Sequence, residues 1–105
     1  MTGGERVALD PSSIVRARDE HLSSDLGGET VILNMNAGVY FGLDGVGTRV
    51  WQLIATPHPV ADLCERLRDE YDVDADRCER AVLALLREMA DAGLIEVVGR
   101  AEPAA

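Results

Sequence analysis

The chain has 105 residues, which is enough for one domain with a single hydrophobic core. Apolar residues make up 47 % and aromatic residues 4 %, so we expect a globular protein whose core consists mainly of Leu, Val, Ile and Ala. The formal net charge is −9, with acidic residues spread along the chain, and this argues against binding to nucleic-acid backbones, which requires clustered Lys and Arg.

The N-terminal part predicts a flexible arm followed by weak strands. Residues 1–10 are rich in Gly and lack periodicity, which is typical of a flexible arm, and the ordered domain is expected over residues 11–98. Residues 14–18 alternate weakly and predict a strand lying along the sheet. Residues 21–26 predict a second weak strand, after which Gly27-Gly28 favours a hairpin turn.

The next segment predicts the strongest part of the sheet. Residues 30–35 are rich in β-branched side chains, and the following Asn-Ala-Gly predicts a tight turn in which Gly38 takes a positive φ at little cost. Residues 39–43 then complete a three-stranded antiparallel meander. Asp44 follows at once and fits a helix N-cap, because its carboxylate can accept from the free N–H groups of the next turn.

Two amphipathic helices are predicted after the meander. The first covers residues 45–55, and its apolar stripe consists of Val46, Val50, Trp51 and Ile54. Pro57 ends this helix, and Pro59 suits the first turn of the second helix. The apolar face of the second helix consists of Val60, Leu63, Cys64, Leu67 and Tyr71. Residues 72–76 predict an acidic turn rich in capping residues.

A third helix is predicted over residues 75–92, with Gly93 as the left-handed residue that ends it. Residues 94–98 predict a short last strand, and residues 99–105 predict a flexible C-terminal tail. Together these elements predict an α+β fold of winged helix-turn-helix type, in which a three-stranded antiparallel meander is followed by three helices.

Helix three carries more apolar surface than one core contact requires. On a wheel with about 100° per residue, one face is predicted to form the core seam, namely Cys78, Val82, Leu85 and Met89. Outside this seam lies an apolar shoulder of Leu83, Leu86 and Ala90. Glu79 lies within the shoulder, and Arg80 and Arg87 flank it. A single exposed Leu is ordinary, but beside a free strand edge this shoulder would form one wall of a groove.

The last strand of the meander has the composition of a peptide-accepting edge. It contains neither a charged residue nor a Pro, the features with which proteins usually block an exposed edge. An extended peptide could therefore add as a further strand. Alternation places Val39, Phe41 and Leu43 on one face and Tyr40 and Gly42 on the other. The alternative is that this strand lies inside the sheet or is covered by the N-terminal arm.

At these residues the chain resembles a known family. Residues 31–51 (VILNMNAGVYFGLDGVGTRVW) resemble the signature of PqqD-like proteins, which is a strand, a Gly turn, an aromatic strand ending in Leu-Asp, and a helix with Gly and Trp. Residues 60–73 resemble the family's second helix and its turn, and residues 82–94 resemble its third helix with a terminal Gly-Leu. The resemblance covers residues 12–98, nearly the whole predicted domain.

The resemblance implies a RiPP recognition element, a protein that binds the leader segment of a ribosomally made precursor peptide and presents it to a modifying enzyme. The leader would form an extra antiparallel strand against residues 39–43, beneath helix three. By position, Leu83, Leu86 and Ala90 would line the site, and Arg80 and Arg87 would hold acidic groups of the leader.

Within this family, the Gly-Thr-Arg-Val-Trp of the first helix most resembles the stand-alone leader-binding proteins of lasso-peptide pathways. There the implied partner is a separate cysteine protease that removes the leader. The alternative within the family is delivery of the leader to a radical-SAM enzyme or another modifying enzyme.

Functions of other classes have weaker support. Cys64 and Cys78 lie in helical patterns without Cys or His at metal spacing, and we interpret them as reduced, buried small hydrophobes. His21 and His58 have no partners that would form a nucleophile–base set, so we expect no catalysis, no metal and no cofactor.

The remaining alternatives are DNA binding and membrane insertion. A winged-helix DNA-binding protein needs a basic recognition helix, whereas helix three is neutral overall, with three Arg and three acidic residues between Arg77 and Asp91. The N-terminus has no apolar run, and no segment approaches the roughly 20 apolar residues of a membrane span, so the sequence predicts a soluble, cytoplasmic protein.

Overall fold

A computed structural model describes residues 9–19, 21–27, 29–36 and 38–101. In chain order the elements are strands β1 (Ser13–Ala17), β2 (His21–Leu26), β3 (Glu29–Asn34) and β4 (Val39–Leu43), helix α1 (Gly45–Leu53), strand β5 (His58–Pro59), helices α2 (Val60–Glu70) and α3 (Ala75–Asp91), and strand β6 (Ile95–Arg100). Gly28 and Ala37, for which the sequence predicted turns, lie outside the described residues.

The predicted antiparallel meander is confirmed. Strands β2, β3 and β4 form a sheet in that order, and β3 pairs with β4 over its last five residues, from Thr30 opposite Leu43 to Asn34 opposite Val39. Side chains alternate along β3, where Ile32 is fully buried and its neighbours on either side are half-buried. The inner face of this sheet therefore packs on the helices, and the outer face is turned away from them.

A second sheet corrects the expectation for residues 14–18. Strand β1 does not lie along the meander, because it pairs with β5 on one side and β6 on the other. The backbone at the end of β1 also bonds outside the meander. The N–H of Ala17 donates to the carbonyl of Ile54, and the N–H of Arg18 donates to the carbonyl of Leu94. The partner β6 lies about 80 residues away in sequence, so no local pattern could assign it.

Three local features predicted from the sequence, one helix cap and two left-handed glycines, are present in the structure. The carboxylate of Asp44 accepts from the N–H of Gly47 at 3.2 Å, which confirms the N-cap of α1. Gly38 and Gly93 have φ values of 69° and 76°, which confirms the left-handed positions at the second hairpin and at the end of α3. The helices α1 and α3 end slightly earlier than predicted, at Leu53 and Asp91.

The termini of the folded part extend further than the predicted domain. Leu9 is 6 % exposed and belongs to the core, and Asp10 forms an ion pair with Arg100. Gly99 and Arg100 lie in β6, and the N–H of Ala101 donates to Ser12. The arm and tail predictions thus stay predictions for residues 1–8 and 102–105, which lie outside the described residues.

Both cysteines are buried and free, as the sequence predicted. The thiol of Cys78 lies 3.8 Å from the carbonyl oxygen of Cys64, and burial raises the pKa of the Cys64 thiol to about 11. Within the described ranges, no helix is both long and apolar enough to cross a bilayer.

Candidate functional site

Strand β4 is an edge strand. It pairs with β3 on one side, and the part of the chain that the structure describes provides no strand on its other side. Among the described residues β4 is therefore an edge strand as predicted, and the alternative of an interior strand does not apply to them. The alternative of cover by the N-terminal arm falls on residues 1–8, which lie outside the described residues. From Tyr40 onward the alternation is as predicted, since Tyr40 is 71 % exposed whereas Leu43 is 5 % exposed and packs in the core. Val39, predicted on the face of Leu43, is exposed at the start of the strand.

A cleft of about 300 Å³ lies beside the end of this strand. We call it the β4–α3 cleft. One wall comes from the end of β4 and the start of α1, and consists of Gly42, Leu43, Asp44, Val46, Gly47 and Val50. The other wall comes from α3 and consists of Ala81, Val82 and Leu85. Most of this lining is apolar, so the cleft suits an aliphatic side chain better than a charged one.

The sequence around Asp44 holds the first wall in place. The hydroxyl of Thr48 donates to the carbonyl of Leu43 at 3.4 Å, and the N–H of Thr48 donates to that of Asp44 at 2.7 Å. Gly47 lies so close to the strand that an added Cβ would be 3.0 Å from a methyl carbon of Leu43. The first turn of α1 is thus packed tightly against the end of β4.

The face that α3 turns to the cleft is not the predicted one. Leu83 and Leu86 are 8 % and 0 % exposed, so the predicted apolar shoulder outside the core is wrong for both. Ala90 is half-buried against the core. Leu85, assigned to the core seam, is half-buried and lines the cleft. The physical reason is that α3 carries apolar residues over a wide arc, and its packing on α2 and β6 selects the side with Val82, Leu83 and Leu86 as the core.

The orientation of α3 also determines which charged side chains lie beside the cleft, and these are not the predicted ones. Glu79, Arg80 and Arg87 are exposed. On a helix with about 3.6 residues per turn, Arg80 and Arg87 point well away from the face of Ala81 and Leu85. Helical spacing instead places two other exposed residues, Arg77 and Glu88, on the cleft side of α3. The peptide-binding role of Arg80 and Arg87 stays a prediction.

Sequence reasoning missed the α3 wall, although a signal for it exists. Arg77, Ala81, Leu85 and Glu88 follow one another at intervals of four, four and three, which is the spacing of one helix face. The small side chain of Ala81 also leaves room beside β4.

The histidines considered for catalysis contact groups other than the two cysteines. The ring of His21 contacts Trp51 edge-on at a centroid distance of 4.8 Å, and Nδ1 of His58 lies 2.9 Å from the carbonyl oxygen of Thr56. Cys64 of α2 and Cys78 of α3 lie in the core. Among the residues that the structure describes, no group of three or more His, Cys, Asp or Glu side chains is placed to bind a metal.

Comparison with known proteins decides the family. Residues 29–95 match the family model of coenzyme PQQ synthesis protein D (PqqD), a segment that runs from β3 to the start of β6 and makes up more than half of the chain. The chain belongs to the PqqD family. This confirms the resemblance seen in the sequence, and it places β4, α1 and α3 within the part that the PqqD family shares.

Two solved structures are similar to this PqqD-family chain. One is described as "TbiB1 in Complex with the TbiA(beta) Leader Peptide"; it is 32 % identical, with a TM-score of 0.73 over 80 % of this chain and 98 % of that one. The other is described as "Lasso peptide synthetase B1 complexed with the leader peptide"; it is 26 % identical, with a TM-score of 0.69 over 78 % of this chain and 96 % of that one. No curated protein matches the chain.

Proposed function

We propose that this chain binds the leader segment of a ribosomally made precursor peptide as an added antiparallel strand along β4, and that it presents the leader to a separate leader peptidase in lasso-peptide biosynthesis. The observation that carries this proposal is the free, uncharged edge of β4 beside an apolar cleft. Its support from known proteins is that both similar structures are complexes with leader peptides.

The dimensions of the site set the length of leader that it accepts. Strand β4 has five residues, so the paired segment spans about 13 Å between its first and last Cα atoms. Backbone hydrogen bonds to this edge give affinity without sequence preference. Preference comes from the cleft, because alternate side chains of an added strand point to one face and the chain's own Val46, Ala81 and Leu85 offer that face an apolar surface.

The proposed role is binding and presentation without covalent chemistry on this chain. The Cys64 thiol is buried, and its pKa of about 11 leaves little thiolate at neutral pH, although the thiolate is the nucleophilic form. Cleavage of the leader therefore belongs to the partner in this proposal. The chain raises the local concentration of the precursor at that partner and fixes which bond is offered.

A matched pair of α3 variants tests the site. Ala81 and Ala84 are both exposed and lie one turn apart, but Ala81 lines the β4–α3 cleft and Ala84 does not. We expect Ala81→Asp to weaken binding of a fluorescein-labelled leader about tenfold or more, because a carboxylate must then be desolvated against an apolar side chain. Ala84→Asp adds the same charge to the same helix and should leave the affinity unchanged.

Fluorescence anisotropy with the leader of the precursor encoded beside this chain's gene measures both affinities. Equal affinities of the two variants would place the leader elsewhere on the surface. The presentation step has its own measurement: the neighbouring leader peptidase should cleave the full precursor faster with the wild-type chain than with Ala81→Asp. No acceleration by the wild-type chain would contradict the proposed partner while leaving leader binding intact.

A further inference from the structure

The side chain of Asn34 joins the β3–β4 hairpin to the end of α3. Asn34 is the last residue of β3 and is 6 % exposed. Its Nδ2 donates to the carbonyl of Ala92 at 2.7 Å, and its Oδ1 accepts from the N–H of Asn36 at 3.0 Å. One amide thus satisfies a carbonyl at the end of α3 and an N–H of the hairpin that leads into β4. A buried amide with both of its ends bonded fixes the relative position of the two segments.

The end of α3 is shaped to receive this amide. The N–H of Gly93 donates to Ala90, and the N–H of Leu94 donates to Met89, which is the Schellman arrangement with Gly93 in the left-handed conformation. A Cβ added at Gly93 would lie 2.8 Å from Nδ2 of Asn34. The absence of a side chain at Gly93 therefore serves both the turn and the close approach of Asn34.

This contact lies at the opposite end of β4 from the α1 wall. Asn34 is paired with Val39, the first residue of β4, whereas α1 is packed against the last residue, Leu43. Along α3, Ala81 and Ala92 are about 16 Å apart at 1.5 Å per residue, close to the roughly 13 Å length of β4. The helix α3 is thus tied to the meander at two places, through the core cluster that its Val82 shares with Leu43 of β4 and through the Asn34 amide bonded to Ala92.

We propose that Asn34 is a positioning residue for the leader site, which it does not touch. By fastening the end of α3 to the hairpin, it keeps the gap between β4 and α3 at one width in the free protein, so that the leader enters a site that is already formed. This inference rests on the proposed function, because it assigns a role in leader binding to a contact outside the cleft.

The expected signature is a slower association. If the loss of the Asn34–Ala92 hydrogen bond lets the end of α3 move, only a fraction of molecules has the gap at the right width, and the apparent dissociation constant rises by the inverse of that fraction. Because Asn34 is buried and lies outside the cleft lining, the dissociation rate of the formed complex should change little. Loss of a direct contact acts mainly on the dissociation rate instead.

Two variants remove the contact from opposite sides. Asn34→Asp keeps the oxygen that accepts from Asn36 but turns a second oxygen towards the carbonyl of Ala92. Gly93→Ala places a methyl group against Nδ2 of Asn34. The matched control is Gly27→Ala, since Gly27 has a similar φ of 62° in the other hairpin of the meander but has nothing within 4 Å of an added Cβ. The backbone strain is then alike, and the contact with Asn34 is the difference.

Stopped-flow anisotropy with the labelled leader gives both rates at a temperature where circular dichroism shows each variant folded. We expect association with Asn34→Asp and Gly93→Ala to be about tenfold slower, with dissociation within about twofold of the wild type. The double variant should be no slower than the worse single variant, because both remove the same contact. Gly27→Ala should bind as the wild type does.

Hydrogen exchange on the free protein provides a readout that needs no leader. The amides of Gly93 and Leu94 should exchange faster in Asn34→Asp than in the wild type, and should be unchanged in Gly27→Ala.

Wild-type rates of leader binding in both Asn34→Asp and Gly93→Ala would overturn the role of Asn34 while leaving the proposed function in place. If Asn34→Asp does not fold, Gly93→Ala alone decides. Absence of leader binding by the wild-type chain would instead refute the proposed function.

Discussion

The two sheets of this PqqD-family chain differ in how their edges are protected. In the second sheet, β5 has two residues and one of them is Pro59, and β6 carries Glu96 and Arg100. Strand β6 is also bulged, because Ile14 pairs with Gly99 and Val15 with Val97, which leaves Val98 as an extra residue. Short length, Pro, charge and bulges are the features that prevent the addition of another strand.

The meander is protected on one edge and open on the other. Its edge strand β2 carries Asp25 beside two Ser residues, whereas its edge strand β4 has no charge, no Pro and a continuous register with β3. Of the strand edges that the structure describes, β4 is thus the one with no blocking feature. The difference shows that the open edge is specific to one strand, and it supports assigning that strand a binding role.

The largest expected effect comes from placing a charge on the open edge of β4, and the same change on the protected edge of β6 is its control. Phe41→Asp introduces a carboxylate into β4 on the face that packs towards the core and the cleft, and we expect leader affinity to fall about 100-fold. Val98→Asp makes the same charge change on the exposed bulge of β6 and should leave affinity unchanged. Anisotropy titration of both variants measures this, and an equal loss in the two would remove the distinction between the sheets.

The backbone of the leader offers a second way to test the open edge. Methylation of single leader amides removes one donor at a time without changing the protein. Along an added strand, N–H groups point alternately towards β4 and away from it, so affinity should fall about tenfold at every second position and hardly at the others. A uniform response along the leader would mean that it does not bind as a strand.

A smaller effect is expected where the open edge meets α1. Asp44→Ala removes the N-cap and should lower the free energy of unfolding by about 1 kcal/mol. Asp44 lines the cleft, but its carboxylate is engaged with Gly47, so leader affinity should fall less than with Ala81→Asp. Urea denaturation gives the stability. An affinity loss greater than that of Ala81→Asp would show that Asp44 contacts the leader directly.

The smallest effect concerns the protected edge of β6. Arg16 and Glu96 lie opposite each other on β1 and β6 and form an ion pair at 2.6 Å, with both side chains about a third or more exposed. Glu96→Gln should cost about 0.5 kcal/mol or less, since exposed ion pairs contribute little to stability. Leader binding should be unaffected. Denaturation at low and high salt checks this, because the stability difference between the wild type and Glu96→Gln should disappear at high salt.

The sequence predicted those features that short segments determine by themselves. The Asp44 cap and the left-handed Gly38 and Gly93 depend on side-chain chemistry within a few residues, and β-branched alternation within one short run predicts β3. The sequence also predicted the open edge of β4, because the five residues of this strand contain no charged side chain. These features define the strand side of the candidate site.

The parts that could not be predicted depend on distant partners. The strand β1 has little pattern of its own and exists because β6 and β5 pair with it. The orientation of α3 is the second case: Leu85 and Leu86 are equally apolar, and the packing of α2 and β6 against α3 decides which one is buried. A wheel drawn from α3 alone therefore placed Cys78, Val82 and Met89 in the core correctly, but it put Leu85 inside the core and Leu83 and Leu86 outside it, where the structure has the reverse.

The position of the sole tryptophan has a practical consequence for these measurements. Trp51 is 8 % exposed, lies on the inner side of α1 with its ring against His21 of β2, and is not part of the cleft lining. Its intrinsic fluorescence therefore reports whether the meander is packed against α1, and it should not depend on whether the leader occupies the cleft. Every variant proposed above keeps this indole, so native folding can be verified optically in the same cuvette that holds the labelled peptide.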